Sequence, residues 1–110
     1  MDESLQHEVG LLHANICQAL AEPTRILILY ALSEGAKYVH ELAEILDVPQ
    51  PSVSRHLKTL RERGLVNAAR DGTSVRYSLA DARVIDALDI MRSVLVGLLA
   101  RKAELARQLA

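Results

Sequence analysis

The 110 residues predict a mainly α-helical fold carrying one small β-hairpin, and three patterns support that expectation. Apolar residues recur at spacings of three and four along most of the chain. Two short helical stretches between residues 40 and 63 are parted by Val48-Pro49-Gln50-Pro51, where no helix runs on, because each proline lacks an N–H and biases the residue before it away from the helical region. Near residue 72 the period switches to alternation across an Asp71-Gly72 turn signal. With no Phe or Trp, the core must be built from Leu, Ile, Val and Ala.

In chain order, residues 4–21 read as a first helix with Leu5, Val9, Leu12, Ile16 and Ala19 spaced four, three, four and three, a seam narrow enough to meet one partner helix. Glu22-Pro23 breaks it. Pro23 at a first helical position opens a second helix with Ile26, Leu27, Leu29, Tyr30 and Leu32 apolar, and Gly35 ends it. Lys37-Tyr38-Val39 is short and β-prone and is expected as an edge strand. Leu42, Ala43, Ile45 and Leu46 give a third helix its apolar face, and Val53, Leu57 and Leu60 do so for a fourth. Those faces must share a core. Gly64 fits the left-handed position that closes the fourth helix. Residues 65–70 and 73–79 flank Asp71-Gly72 as hairpin strands, with Val75, Tyr77 and Leu79 facing inward and Ser74, Arg76 and Ser78 outward.

From Asp81, as N-cap, a last helix runs nearly to residue 110. Val84, Leu88, Met91, Leu95 and Leu98 continue at four, three, four and three; Leu105 and Leu109 extend the row past Lys102, and Ile85, Val94 and Leu99 widen it. About 28 residues make a rod of ~42 Å, longer than so small a domain can cover. Part of that apolar face needs another chain, so a dimer formed by the first and last helices is expected. The alternative is a helix that overhangs its own monomer.

Opposite its apolar stripe the fourth helix carries Gln50, Ser52, Ser54, Arg55, His56, Lys58 and Thr59, hydrogen-bonding and cationic groups in place of the Glu/Lys mixture of an ordinary solvated face. A helix so equipped can lie in a DNA major groove. A hairpin directly after such a helix is a wing, which makes residues 1–110 a single winged helix-turn-helix domain. Arg70 and Arg76 near its tip are placed to meet phosphates or enter the minor groove, although a plain solvated hairpin would look similar. Charge is segregated to match: the net charge of −1 divides into −6 over residues 1–49, +4 over 50–79 and +1 over 80–110. Cations therefore gather where phosphates would be met.

An enzyme is not expected, since no nucleophile–base pair, phosphate-cradling glycine loop or paired carboxylates are present. A helical protein–protein interaction module is the other alternative, but it has no reason to segregate charge. No apolar run approaches the roughly 18 residues of a membrane span. The acidic start lacks the basic-then-apolar pattern of a secretory signal, so a cytoplasmic protein is expected. Cys17 is the only cysteine, which excludes an internal disulfide and a four-cysteine zinc site.

The stretch L-A-E-I-L-D-V-P-Q-P-S-V-S-R-H-L-K-T-L-R-E-R-G-L-V followed by R-D-G-T-S-V-R-Y-S-L closely resembles the ArsR/SmtB family of winged-helix bacterial repressors, and A-L-A-E-P-T-R-I-L-I-L-Y-A-L matches its second helix. The resemblance covers about residues 17–100. It implies a homodimer on an imperfect palindrome, one recognition helix per half-site, and release of DNA when an effector binds. By match to the recognition helix, Gln50, Ser52, Val53, Ser54, Arg55, His56 and Lys58 are the candidate DNA-contacting positions, with Val53 and Leu57 read as holding the helix to the core. The family's two best-known effector sites are not intact. Tyr38, Val39 and His40 stand where its thiol site has Cys-Val-Cys. Of the Asp/His set on its last helix, mapped to Asp81, Arg83, Val94 and Gly97, only the aspartate remains, and Arg83 repels a cation.

His13 and Cys17, four apart on one helix face at the edge of the dimer seam, form a pair able to bind one metal ion. In some family members the N-terminal region of one subunit meets the partner's helix-turn-helix unit. The resemblance therefore makes His40, with His7, the residues that would complete an interchain site suited to zinc or a similar borderline-soft ion. Alternatively, His7 and His13 are surface polar residues and Cys17 a small buried hydrophobe, or Cys17 cross-links the dimer or is oxidised, although no neighbouring cation activates its thiol. The expected function is a dimeric, sequence-specific DNA-binding repressor released by a metal ion, a thiol oxidant or an unknown ligand. The alternatives are a DNA-binding regulator with no metal response, or the interaction module.

Overall fold

The computed structural model describes residues 1–110, in which five helices surround a three-stranded sheet. Helix α1 (Glu3–Leu12) starts where Asp2 Oδ1 accepts from the Ser4 N–H at 3.0 Å, and runs into a π-turn (His13–Cys17) before ending near residue 19. Helix α2 (Pro23–Leu32) has Pro23 at its first position and Glu22 as its cap, whose Oε1 accepts from the Thr24 N–H at 3.1 Å. Strand β1 (Lys37–Tyr38) leads directly into α3 (Val39–Leu46), whose start is fixed by the Tyr38 N–H donating to Glu41 Oε1 at 2.9 Å. Helix α4 (Gln50–Glu62), strands β2 (Val66–Asp71) and β3 (Ser74–Leu79), and the 27-residue α5 (Arg83–Leu109) complete the chain.

The turn between α3 and α4 uses only Asp47, Val48 and Pro49. Asp47 takes the left-handed conformation (φ 53°), the Val48 N–H reaches back to Ala43 O at 3.1 Å, and Pro49 is the extended residue before α4. Gln50 and Pro51 lie in the first helical turn, where a missing N–H costs nothing. At its other end α4 closes in a Schellman motif. The Leu65 N–H bonds Leu60 O at 2.9 Å and the Gly64 N–H bonds Arg61 O at 3.0 Å, with Gly64 at φ 77° and the buried pair Leu60 and Leu65 packed at the closure.

The sheet order is β1-β3-β2, all antiparallel, with β1 on the edge as expected. Val39 belongs to α3 and not to that strand. Register differs by one residue at the hairpin: Asp71 pairs with Ser74, so the two loop residues are Gly72 and Thr73, not Asp71 and Gly72. Gly72 alone has a positive φ (62°), which is the pattern of a turn that wants glycine first.

The core is α2, the inner face of α3–α4 and the start of the wing. Ile28, Leu29, Leu42, Val53, Leu57 and Leu60 are fully buried, with Ala31, Leu32, Val66, Leu88 and Ala19 around them. Two expectations fail here. Leu27 is 53% exposed and Ile45 55%, and Ile28 takes the inner position expected of Leu27. In a helix hydrophobic on several sides, composition alone does not select the buried side.

Helices α1 and α5 project from this core. The radius of gyration is 17.3 Å, against ~13 Å for a compact chain of this length, and the longest extent is 60 Å. Helix α5 is anchored only near its start by Val84, Ile85 and Leu88, by Tyr30 OH donating to Asp89 Oδ1 at 2.6 Å, and by Arg92 lying 5.2 Å over the Tyr30 ring. Its N-terminus is capped by Asp81, whose Oδ1 accepts from the Arg83 N–H at 2.9 Å. No helix is long and apolar enough to cross a membrane.

Leu57→Ala, which empties a fully enclosed site, is expected to lower unfolding free energy by about 2–5 kcal/mol, whereas Ile45→Ala on the exposed side should change it by less than about 0.5 kcal/mol. Urea denaturation followed by circular dichroism at fixed protein concentration compares the two.

Candidate nucleic-acid interface

Burial of Val53, Leu57 and Leu60 sets the rotation of α4 about its axis, so the opposite face is fixed by default. Gln50, Ser54, Arg55 and Lys58 are exposed, while Ser52, His56 and Thr59 are half-buried along the borders of the face. Thr59 turns inward on its own helix, its hydroxyl donating to Arg55 O at 3.4 Å. His56 is not a free surface group: its Nδ1 lies 3.4 Å from Arg25 Nη1.

In the wing, Arg70 stands opposite Val75 and Arg76 opposite Ala69. Cross-strand partners share a face, so the two arginines project from opposite faces of the hairpin. The acid at the tip forms no ion pair with either arginine; Asp71 accepts a hydrogen bond from Tyr38 OH, which also holds the Tyr38 phenol above its ordinary range. The chain forms three ion pairs, Asp81–Arg83, Asp89–Arg92 and Glu104–Arg107, all at or on α5. None of Arg55, Lys58, Arg61, Arg63, Arg70 and Arg76 has an acidic partner. The cations of residues 50–79 are therefore available to an external polyanion.

The proposed metal residues are not assembled within one protomer, where no three His, Cys, Asp or Glu side chains lie close enough to hold an ion. His13 and Cys17 occupy the two ends of one π-turn, closed by the Gln18 N–H donating to His13 O. His40 stacks on Tyr38 with ring centroids 5.7 Å apart. Cys17 is exposed in the single protomer. It lines two open apolar grooves, one of about 350 Å³ with Leu20, Ile26, Tyr30, Leu88, Met91, Arg92 and Leu95, the other of about 420 Å³ with Leu12, Ile16 and Val84 among its walls. Asp81 is fully engaged by Arg83, whose Nη2 reaches Oδ2 at 2.7 Å and whose Nε lies 3.1 Å from both oxygens. A divalent ion would have to displace a bidentate guanidinium to reach it.

Arg25 is the residue that sequence reading missed. It donates from Nε to Ala19 O at 2.6 Å and from Nη2 to Gln18 O at 3.1 Å. The available signal was its isolation, since Arg25 and Lys37 are the only Lys or Arg among residues 1–49.

Comparison with known proteins bears on this site directly. Residues 22–68 match the family described as bacterial regulatory protein, arsR family. The chain is 50% identical over 66 residues to the HTH-type transcriptional repressor SmtB of Mycobacterium tuberculosis, covering 60% of this chain and 49% of that protein, so it spans about half that relative's length. It is 43% identical over 84 residues to the HTH-type transcriptional regulator CmtR of Mycobacterium bovis, covering 76% of this chain and 71% of CmtR. Among solved structures it resembles the homodimeric winged helix-turn-helix DNA-binding domain of a possible ArsR-family regulator from Mycobacterium bovis, with a TM-score of 0.75, 26% identity, and coverage of 90% of this chain and 91% of that one.

The Arg83 guanidinium and N–H hold the Asp81 carboxyl down from the usual 3.8 to about 2. A depressed folded value means that this contact stabilises the start of α5 above about pH 4 and is lost as pH falls toward 2. Carboxyl-carbon NMR titration should place Asp81 near 2, and Arg83→Ala should raise it while leaving it below 3.8, because the residue 83 N–H remains.

Proposed function

Because the chain belongs to the arsR family of bacterial regulatory proteins, we propose that it is a sequence-specific DNA-binding transcriptional repressor and not an enzyme, acting in the cytoplasm as one winged helix-turn-helix domain per subunit of a homodimer. The observation that carries this reading is the set of six unpaired cations on and beside α4 and the wing, whereas three of the five basic residues on α5 are paired with acids. Unpaired Lys and Arg release condensed counterions when they meet phosphates, and that supplies affinity. The exposed edge of α4, with Gln50, Ser52, Ser54, Arg55, His56 and Lys58, supplies base readout in the major groove. Arginines on both faces of the wing suit a hairpin entering the minor groove, whose two walls are separate phosphate rows.

Dimerisation is supported by apolar surface that the protomer leaves open. Leu5, Val9, Leu11 and Leu12 on α1, and Met91, Val94, Leu95, Leu98, Leu99 and Leu105 on α5, are all exposed. A patch of that extent on adjoining helices is the mark of an interface. The two grooves flanking Cys17 continue the same surface and would be closed by the partner. A two-fold dimer presents two copies of α4, which calls for a palindromic operator. Charge segregation disfavours the alternative of a helical interaction module.

Release of DNA by a small effector follows the family pattern. His13 and Cys17, with His40 of the partner subunit, would form a borderline-soft metal site completed only in the dimer, suited to zinc. A thiol oxidant acting on Cys17 is the second effector class.

Fluorescence anisotropy with the protein's own promoter fragment tests DNA binding. Saturation at two chains per duplex and a steep salt dependence are expected. Arg70→Ala should weaken binding to all sequences alike and reduce the salt slope by about one, whereas Arg55→Ala should cost about 1–3 kcal/mol on the operator and little on random DNA. Repeating the titration with chelator and then with zinc tests the effector. Weakened binding that His13→Ala or Cys17→Ala restores supports the interchain site, and indifference to zinc removes it.

A further inference from the structure

We propose that Arg25 is a positioning residue for DNA recognition, which holds His56 in the tautomer carrying its proton on Nε2 and so makes it a hydrogen-bond donor to DNA. The proposal rests on the DNA-binding reading and assigns a role to a residue outside the recognition helix and wing.

Arg25 stands where three elements meet. The first helix ends at Ala19, where Gln18 O also accepts from the Ala21 N–H at 3.3 Å, α2 begins four residues later, and α4 passes alongside. The guanidinium caps the helix end by donating from Nε to Ala19 O at 2.6 Å and from Nη2 to Gln18 O at 3.1 Å. Two bonds from one rigid plane fix its orientation, which leaves Nη1 facing His56 Nδ1 at 3.4 Å. A guanidinium has five donors and no acceptor. The facing ring nitrogen can therefore meet it favourably only with its lone pair, and in a neutral imidazole the proton then sits on Nε2. Glu22, beside this cluster, makes no hydrogen bond to His56: its Oε1 accepts from the Thr24 N–H, and that bond, with the nearby His56 and Arg25, holds its carboxyl below the usual range. Burial of the adjacent Leu57 fixes the rotation of α4, which places the His56 ring against Arg25. A fixed Nε2–H matches acceptors alone, a phosphate oxygen or guanine O6 and N7, and is wrong for an exocyclic amine.

The test uses the full-length protein. Long-range proton–nitrogen spectra of the free protein should show His56 with an unprotonated Nδ1 and a protonated Nε2, and Arg25→Met should convert the ring to a tautomer mixture. On the operator, Arg25→Met is expected to lose about tenfold in affinity with its salt slope and random-DNA affinity unchanged, and His56→Phe should lose as much. The double variant should be no worse than either. His56→Gln supplies a carbonyl toward Arg25 and an N–H₂ beyond it, so it should stay within about threefold of wild type. This variant, with Arg25→Lys, keeps the proposal testable if Arg25→Met does not fold. A salt slope reduced by one would make Arg25 a phosphate ligand instead. Additive losses, an unchanged ring spectrum, or His56→Gln as weak as His56→Phe would each overturn the role. If the wild-type protein binds no duplex with salt sensitivity, the DNA reading fails and this role with it. If wild type binds and only the variant pattern departs, Arg25 alone has been misassigned.

Discussion

The complete burial of one stripe of α4 is the constraint on which the rest depends. Val53, Leu57 and Leu60 are sealed against Ile28, Leu29 and Leu42, and burying side chains of that size stabilises the fold by about 1.5–3 kcal/mol each. Rotating α4 by one residue would turn about 100° of helix and place Arg or Ser in the core, so the outward face is set by what the inward face cannot give up. The same helix positions the wing. Its Schellman closure hands the chain to β2 within three residues, and the Leu60–Leu65 contact ties hairpin to helix, so α4 and the hairpin move as one body.

A second constraint is negative. Half of the residues are hydrophobic, yet only twelve are buried, because α1 and most of α5 have no neighbour in their own chain. Short-range tethers from Tyr30 to Asp89 and Arg92 aim α5 away from the core instead of folding it back. Apolar surface held out on a rigid rod is stable only when something covers it, so in the proposed dimer association of two chains would also place the two copies of α4.

Most of this was legible in the sequence where one period dominates. The stripe of α4, the break at Pro49, the glycine closure at Gly64, Pro23 as a helix opener and the edge strand at Tyr38 all follow from local chemistry that tertiary contacts reinforce. Legibility failed where two patterns compete. Helix α2 is apolar nearly all round, so Leu27 and Ile28 could not be told apart. Asp71-Gly72 is a stronger hairpin signal than Gly72-Thr73 as a dipeptide, but the pairing of Asp71 with Ser74 and the Tyr38–Asp71 hydrogen bond draw Asp71 into the strand. The π-turn at His13–Cys17 leaves no mark in the apolar spacing. Arg25 was invisible for a different reason: its partners are backbone carbonyls, which every residue carries.

Distribution of charge, more than its total, separates the two halves of the function. On α5 the arginines at positions 92 and 107 sit three residues after an acid and pair with it, while Arg101 and Lys102 between them have no acidic partner. On α4 the only acid is Glu62 at the end, and Asp71 at the wing tip bonds Tyr38 and pairs with no cation. A polyanion approaching this chain therefore meets six unpaired cations gathered on and beside α4 and the wing, against two on the long helix. Affinity for phosphate is oriented by that contrast before any base is read. In the proposed complex base discrimination would fall to a few side chains whose direction the core has already fixed, so a change buried beneath α4 would act on specificity and on stability together.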